Sequence, residues 1–210
     1  MAEHWSEKIL TDWGVGGGAP EREAVRVFER VRDIPFGQMG SRDPAEVYRR
    51  NKGTCSGKNL LLRELLQRIG LQARDMICLQ RWKDITWFPD DTYGLVRFPD
   101  ELVRMLQETE IVDFHNYVEL RVGERWVTLD ATIDPPLRRL GFHTTERWDG
   151  RSSMPLCFAG SHKVWSCGDD GLARKAELTA RLPDESRAAR KRFLVRMTAW
   201  IDDLRERGEL

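Results

Sequence analysis

From residue 59 onward the apolar side chains Leu61, Leu62, Leu65, Leu66 and Ile69 recur at separations of three and four, the period of one buried helix face. Gly70 stops the run. The period then changes. Residues 113 to 132 alternate apolar with polar on either side of Gly123, which predicts an antiparallel hairpin. With Gly123 and Glu124 as a two-residue turn, Val122 pairs with Arg125, Leu120 with Val127 and Val118 with Leu129, assembling one apolar face. His115, Tyr117, Thr128 and Asp130 share the other face, with Asp130 across from Tyr117 and diagonal to His115. A slip of one residue separates the imidazole from the carboxylate, so the register that buries the apolar residues also brings these two together.

Weaker patterns supply further elements. A helix is expected from Pro20, with Ala24, Val27, Phe28 and Val31 on one face, ending before Pro35. Asp43 caps a short helix, with Glu46 three residues on. A strand is expected over residues 75 to 81, a helix over about 100 to 108 packing through Val103 and Leu106, and one more strand over 154 to 159. From residue 184 to about 207, Phe193, Met197, Trp200 and Leu204 follow at steps of four and three. This is a long amphipathic helix that docks on the domain, with a dimer contact as the alternative. Residues 14 to 18 read as a glycine-rich loop, since no strand precedes them as a dinucleotide fingerprint requires. The expected class is α+β. We divide the chain into an N-terminal segment with its flexible loop (1–19), a catalytic domain (20–175) and a C-terminal amphipathic helix packed on it (176–210).

Charge and composition narrow the function. The 34 basic and 34 acidic residues balance, which argues against a bulk electrostatic grip on nucleic acid or anionic lipid. The chain carries no apolar run long enough to span a membrane, and its start lacks the apolar stretch of a secretory signal. The expected location is cytoplasmic, with neither nucleic acid nor membrane as a partner. Four cysteines do not make a disulfide framework in a chain of this size. His143, Cys157, His162 and Cys167 have long, irregular spacings without a Cys-x-x-Cys or His-x-x-x-His pair, so no metal and no organic cofactor is expected.

Cys55 opens the leucine-rich helix, where free backbone N–H groups and the positive end of the helix dipole favour thiolate over thiol. Gly53 and Gly57 leave room for a substrate backbone to approach the sulfur, a role that packing alone does not require. The plain alternative is a small buried hydrophobe, and glycines bracketing a helix start argue against it. Gly53, Gly57 and Lys58 approach a phosphate loop, but the gap between the glycines is one residue short and Asn59 replaces the Ser or Thr that would hold magnesium. A thiolate nucleophile needs a base, and the base an orienting group. His115 and Asp130 offer both, with His162 as a rival base.

Three stretches taken together resemble the transglutaminase-like superfamily over residues from about 44 to 132. They are Cys55 between its glycines before the leucine-rich helix, the run His115-Asn-Tyr-Val-Glu119, and Gly123-Glu-Arg-Trp126-Val-Thr-Leu-Asp130. The resemblance implies a papain-like α+β core in which the nucleophile-bearing helix packs on an antiparallel sheet, here with extra N- and C-terminal helices. It also implies a triad: Cys55 as nucleophile, His115 as base and then acid, Asp130 fixing the imidazole. Members often place a Trp or Gln upstream of the cysteine to hold the oxyanion. No Trp occurs between Trp13 and Cys55, which leaves Gln38 as the nearest substitute and the Cys55 backbone N–H as another donor. The calcium dependence of some larger relatives is not carried over, because no oxygen-rich calcium loop is recognisable.

The chemistry expected is acyl transfer through a cysteine thioester on an amide- or peptide-containing substrate, resolved by water or by an amine acceptor. Residues 82 to 112 hold Trp82, Trp87, Phe88, Tyr93 and Phe98 among acidic side chains, which reads equally as a lid or as a strand and helix packed on the sheet. Trp82, Trp87, Tyr93, Tyr117 and Trp126 are the substrate-binding candidates. Two other readings stand beside this one: a non-catalytic protein- or peptide-binding module with a vestigial triad, and an acyl-CoA-dependent N-acyltransferase.

Overall fold

The computed structural model describes residues 4–86, 96–157 and 163–210. An antiparallel sheet runs in the order β3-β2-β1-β4, from β1 (Ala73–Arg81), β2 (Val112–Val122), β3 (Arg125–Leu129) and β4 (Val164–Gly168). In the hairpin, Val118 faces Leu129, Leu120 faces Val127 and Val122 faces Arg125, the register expected from the alternation. Val118, Leu120, Val127 and Leu129 are all buried.

The leucine stripe forms α4 (Cys55–Arg68), with Leu61, Leu62, Leu65 and Leu66 fully buried against the hairpin. Three helices pack around it: α1 (Trp5–Asp12), α2 (Pro20–Arg32) and α3 (Pro44–Arg50). α2 buries Ala24, Val27, Phe28 and Val31, as its spacing predicts. α1 has no counterpart in the sequence reading. His4 caps it in a reciprocal pair with Glu7, and it buries only Ser6, Ile9 and Leu10, too short a stripe to show as a period. Asp43 caps α3 by accepting the Glu46 N–H at 3.0 Å.

The glycines beside Cys55 have a different role from the one expected. A Cβ on Gly57 would stand 2.7 Å from Val47 Cγ2, and one on Gly53 would stand 3.0 Å from Val47 Cγ1. Their bare backbones let α3 approach α4, so packing does require them. Ahead of them, residues 35 to 37 run beside Gly53 through a parallel bridge, with Gly53 N–H donating to the Pro35 carbonyl (3.1 Å) and Gly37 N–H to the Gly53 carbonyl (3.0 Å).

A second apolar cluster lies under α5 (Asp100–Glu108) and α7 (Asp184–Glu206). α5 buries Leu102 and Leu106, with Val103 only partly covered. In α7, Phe193, Met197 and Ile201 are fully buried, whereas Trp200 is only partly so. The strand expected over residues 154 to 159 does not form through residue 157, and residues 158 and 159 lie outside the described residues. Pro155 has no N–H to give a ladder, and Met154 makes a single backbone bond to the Thr128 carbonyl at 3.0 Å. The added strand is instead β4, followed by α6 (Gly171–Ala180). Among the described residues no helix is long and apolar enough to cross a membrane.

Candidate active site

Cys55 is the first residue of α4, whose ladder begins with the Lys58 N–H bonded to the Thr54 carbonyl at 2.9 Å. The N–H groups of Cys55, Ser56 and Gly57 therefore precede the ladder at the helix's positive end. The cysteine is 9% exposed and lines a pocket with Gln38, Trp82, His115, Lys175 and Arg190. β2 brings His115 to the same pocket. Its Nε2 lies 2.7 Å from Asp130 Oδ2, just past the end of β3. The ring also interacts with the Cys55 sulfur.

The Asp130 carboxylate is held on all sides. Oδ2 accepts the Cys157 N–H at 3.0 Å and the Cys157 thiol at 2.9 Å. Oδ1 accepts the Thr132 N–H at 3.1 Å and faces the Asn59 amide at 3.3 Å. Asn59 ties the site together. Its nitrogen is 3.1 Å from the Cys55 carbonyl, 2.8 Å from the Asn116 carbonyl and 2.9 Å from Thr132 Oγ1, while its oxygen accepts the Ala131 N–H at 3.0 Å. Beneath it, the fully buried Lys58 donates to the carbonyls of Arg32, Ile34 and Thr132. Burial drives its pKa down to about 7 against the pull of Asp134.

Electrostatics separates the charges across this site. Burial is the largest influence on Cys55 and raises its pKa, but the Lys175 ammonium and His115 outweigh it and bring the thiol down to about 6. Burial likewise opposes charge on His115, yet the Asp130 carboxylate holds the imidazolium pKa well above its ordinary value of 6.5. Asp130 is driven well below the carboxylate range, as His115 and the surrounding donors overcome burial. The other thiols move the opposite way. Burial raises Cys78 to about 11 and, with the Asp130 charge, raises Cys157 further still. Cys55 alone among the four thiols is shifted toward thiolate.

The structure thus brings Cys55, His115 and Asp130 together, with Gln38 half-buried on the pocket wall. Trp82 is buried and also lines the pocket. Tyr117 is buried behind His115, with the two rings stacked 6.5 Å apart. Trp126 is farther along the hairpin, with the Arg74 guanidinium 4.1 Å over its ring, and does not line the pocket. Trp87, Tyr93 and His162 lie outside the described residues. His115, Asp130 and Cys157 place their donor atoms within 4.8 Å of one another, a closeness their mutual hydrogen bonds account for. His143 and Cys167 join no such group among the described residues.

Sequence reasoning missed four parts of the site. Asn59 lies four residues after Cys55 and so on the same helix face, a signal that was available. Cys157, Lys175 and Arg190 come from segments distant in sequence and carry no local pattern, whereas Asp113, buried and paired with Arg190 at 2.5 Å, stands two residues before His115 on the same strand face, a signal that was also available.

The family model of the transglutaminase-like superfamily matches residues 11–131 of the chain. No curated protein matches it. Among solved structures, a candidate cysteine protease from Cytophaga hutchinsonii is 16% identical, with a TM-score of 0.38. That alignment covers 65% of this chain and 39% of the other, so the chain spans well under half of that protein's length.

Proposed function

We propose, from the premise that the chain belongs to the transglutaminase-like superfamily, that Cys55, His115 and Asp130 act as a nucleophile, an acid–base and an orienting group in acyl transfer from an amide or peptide. The membership makes the chain a thiol-dependent enzyme candidate with the α+β, papain-like core of its family. The observation that carries the finer reading is the His115 ring, interposed between the Cys55 sulfur and an Asp130 carboxylate 2.7 Å away.

In this reading His115 Nδ1 holds the proton taken from the thiol. The sulfur attacks the carbonyl carbon, the S–C bond forms, and the π pair moves to oxygen. When the C=O re-forms, the C–N bond breaks and the leaving amine takes the proton from His115. Water or a second amine, deprotonated by the now neutral imidazole, then attacks the thioester and releases the sulfur. Asp130 keeps Nε2–H in place and stabilises the cation. The Cys55 backbone N–H and the Gln38 amide are the donors proposed for the oxyanion.

The test is covalent trapping with a peptide that carries an amide-mimicking electrophile, read by mass spectrometry at each cysteine. Cys55 is expected to label far faster than Cys78, and His115→Ala to abolish the difference. Equal labelling of the two thiols would support the binding-module reading instead. Incubating the native protein with amide donors, with and without a primary amine, then separates hydrolysis from transamidation. Turnover of an acyl-CoA only, with no amide reaction, would favour the N-acyltransferase reading.

A further inference from the structure

α6 is a short helix with an unusual buried face. Gly171, Lys175 and Leu178 fall at steps of four and three, so one side of the helix presents all three inward. Each end is fixed. The Gly171 N–H donates to Asp75 Oδ2 at 3.1 Å, with no room for a Cβ between them. Leu178 packs with Ile77 and Phe114 of the sheet. Between them Lys175 is only 5% exposed, a costly place for an ammonium unless an anion meets it.

The nearest groups identify that anion. Lys175 Nζ lies 3.0 Å from Ser56 Oγ, 3.5 Å from Cys55 Sγ and 4.0 Å from Asp113 Oδ1. Asp113 is already engaged by the Arg190 guanidinium (2.5 Å) and by the Phe114 N–H (2.7 Å). Ser56 donates its own proton to Asn116 Oδ1 at 2.6 Å and offers Lys175 a lone pair. The sulfur is the acceptor left with charge to gain.

We infer that Lys175 is a catalytic residue of the Cys55 site: its ammonium holds the resting thiolate and then donates to the carbonyl oxygen as negative charge develops there. This rests on the acyl-transfer reading above. An ammonium 3.5 Å from the sulfur is close enough for a carbonyl oxygen two bonds from Sγ, when turned toward it, to reach the roughly 3 Å that an oxyanion donor requires. Lys175 keeps its protons throughout. When the S–C bond forms the π pair goes to oxygen, and the Lys175 N–H bond to that oxygen replaces its contact with sulfur. On collapse the pair returns to re-form C=O and the contact reverts. The cation would thus supply from the C-terminal side what an upstream Trp supplies in other members.

The charges around Lys175 are consistent with this role. Cys55 and Ser56 face it from α4, Asp113 and His115 from β2, and Arg190 from α7, while Arg42 lines the same pocket. On the neighbouring strands Cys78 and Cys167 are both pushed up to about 11 and stay neutral. Asp75 is spent on Gly171 and Arg63.

The experiment compares the native protein with Lys175→Met, Lys175→Gln and Lys175→Arg. The Cys55 alkylation rate by iodoacetamide is followed against pH by mass spectrometry, with no substrate present. Acylation by the best amide donor is measured in parallel. The midpoint is expected to rise by a unit or more in the Met and Gln variants and to be largely restored in Arg. Acylation kcat is expected to fall on the order of 10²–10³-fold with KM little changed. A folded Met or Gln variant with the native midpoint and native acylation would overturn the inference, and Gln decides alone if Met does not fold. A midpoint that responds to His115→Ala but not to Lys175 variants refutes only the role of Lys175. Insensitivity to His115→Ala as well refutes the acyl-transfer reading itself.

Discussion

At the scale of single residues, the site depends on a proton kept on a buried ring. Asp130 supplies the reason, since its carboxylate holds the His115 pKa up despite burial. A raised histidine stabilises the fold fully below its unfolded value, near 6.5, and loses that contribution as pH rises through its folded value. A depressed carboxylate does the reverse: Asp130 contributes above its unfolded value, near 3.8, and loses the contribution as pH falls toward its folded one. Both contributions are complete between these two unfolded values. Asp130→Asn should therefore lower Tm relative to the native protein most at pH 5 to 6, with the gap narrowing as pH climbs further. The same variant removes the charge that raises His115, so the alkaline limb of the pH–rate profile should move to lower pH. Turnover should fall on the order of 10²–10⁴-fold. A Tm difference flat across pH 5 to 9 would show that the pair does not carry its charge in the fold.

At the scale of elements, the closeness of α3 to α4 sets where the nucleophile stands. Gly57 permits that closeness, and a Cβ there would meet Val47 at 2.7 Å. Gly57→Ala should cost about 1–3 kcal/mol by overpacking, and Val47→Ala in the same chain should recover part of it. A double-mutant cycle in urea checks this, because independent effects would simply add. This contact also marks what could be read from the sequence. The hairpin was legible down to its register, since alternation with a period of two admits a single pairing that buries Val118, Leu120, Val127 and Leu129. The start of α4 and its buried stripe were legible for the same kind of reason. The role of Gly57 was not, because it depends on Val47, a residue in another helix. α6 was hidden more deeply. It lacks a side-chain cap, it is short, and its central inward position is a lysine, which a sequence reading assigns to solvent. The His115–Asp130 contact could be anticipated because one hairpin carries both residues, whereas Lys175 reaches Cys55 only through tertiary structure.

At the scale of the whole molecule, α7 closes the site that the N-terminal half of the chain begins. It contributes Arg190, Leu194 and Thr198 to the Cys55 pocket, and near its end Arg205 reaches back to the segment that precedes the nucleophile. Arg205 Nη2 bonds both oxygens of Asp134, at 2.8 and 2.9 Å, and its Nη1 donates to the Phe36 carbonyl at 2.8 Å. Asp134 in turn accepts the Phe36 N–H at 2.7 Å. Both polar groups of one backbone residue are thus clamped by a pair that links the end of α7 to the segment just past β3. Phe36 is the residue bridged to Gly53, two positions ahead of Cys55. The neighbouring Lys52–Asp202 contact also links α7 to this region, at 2.6 Å, but its side chains are 27% and 32% exposed. A solvated pair of that kind contributes at most about 1 kcal/mol. In the clamp, removing the guanidinium leaves the Asp134 carboxylate, 3% exposed, and the Phe36 carbonyl short of donors. Arg205→Met should therefore destabilise by about 1–3 kcal/mol in urea and slow Cys55 alkylation, since the strip beside Gly53 loses its hold. Asp202→Asn should leave both measurements near native. If the two variants instead lose stability equally, with no change at the thiol, α7 serves the fold as a cover and the clamp has no bearing on the nucleophile.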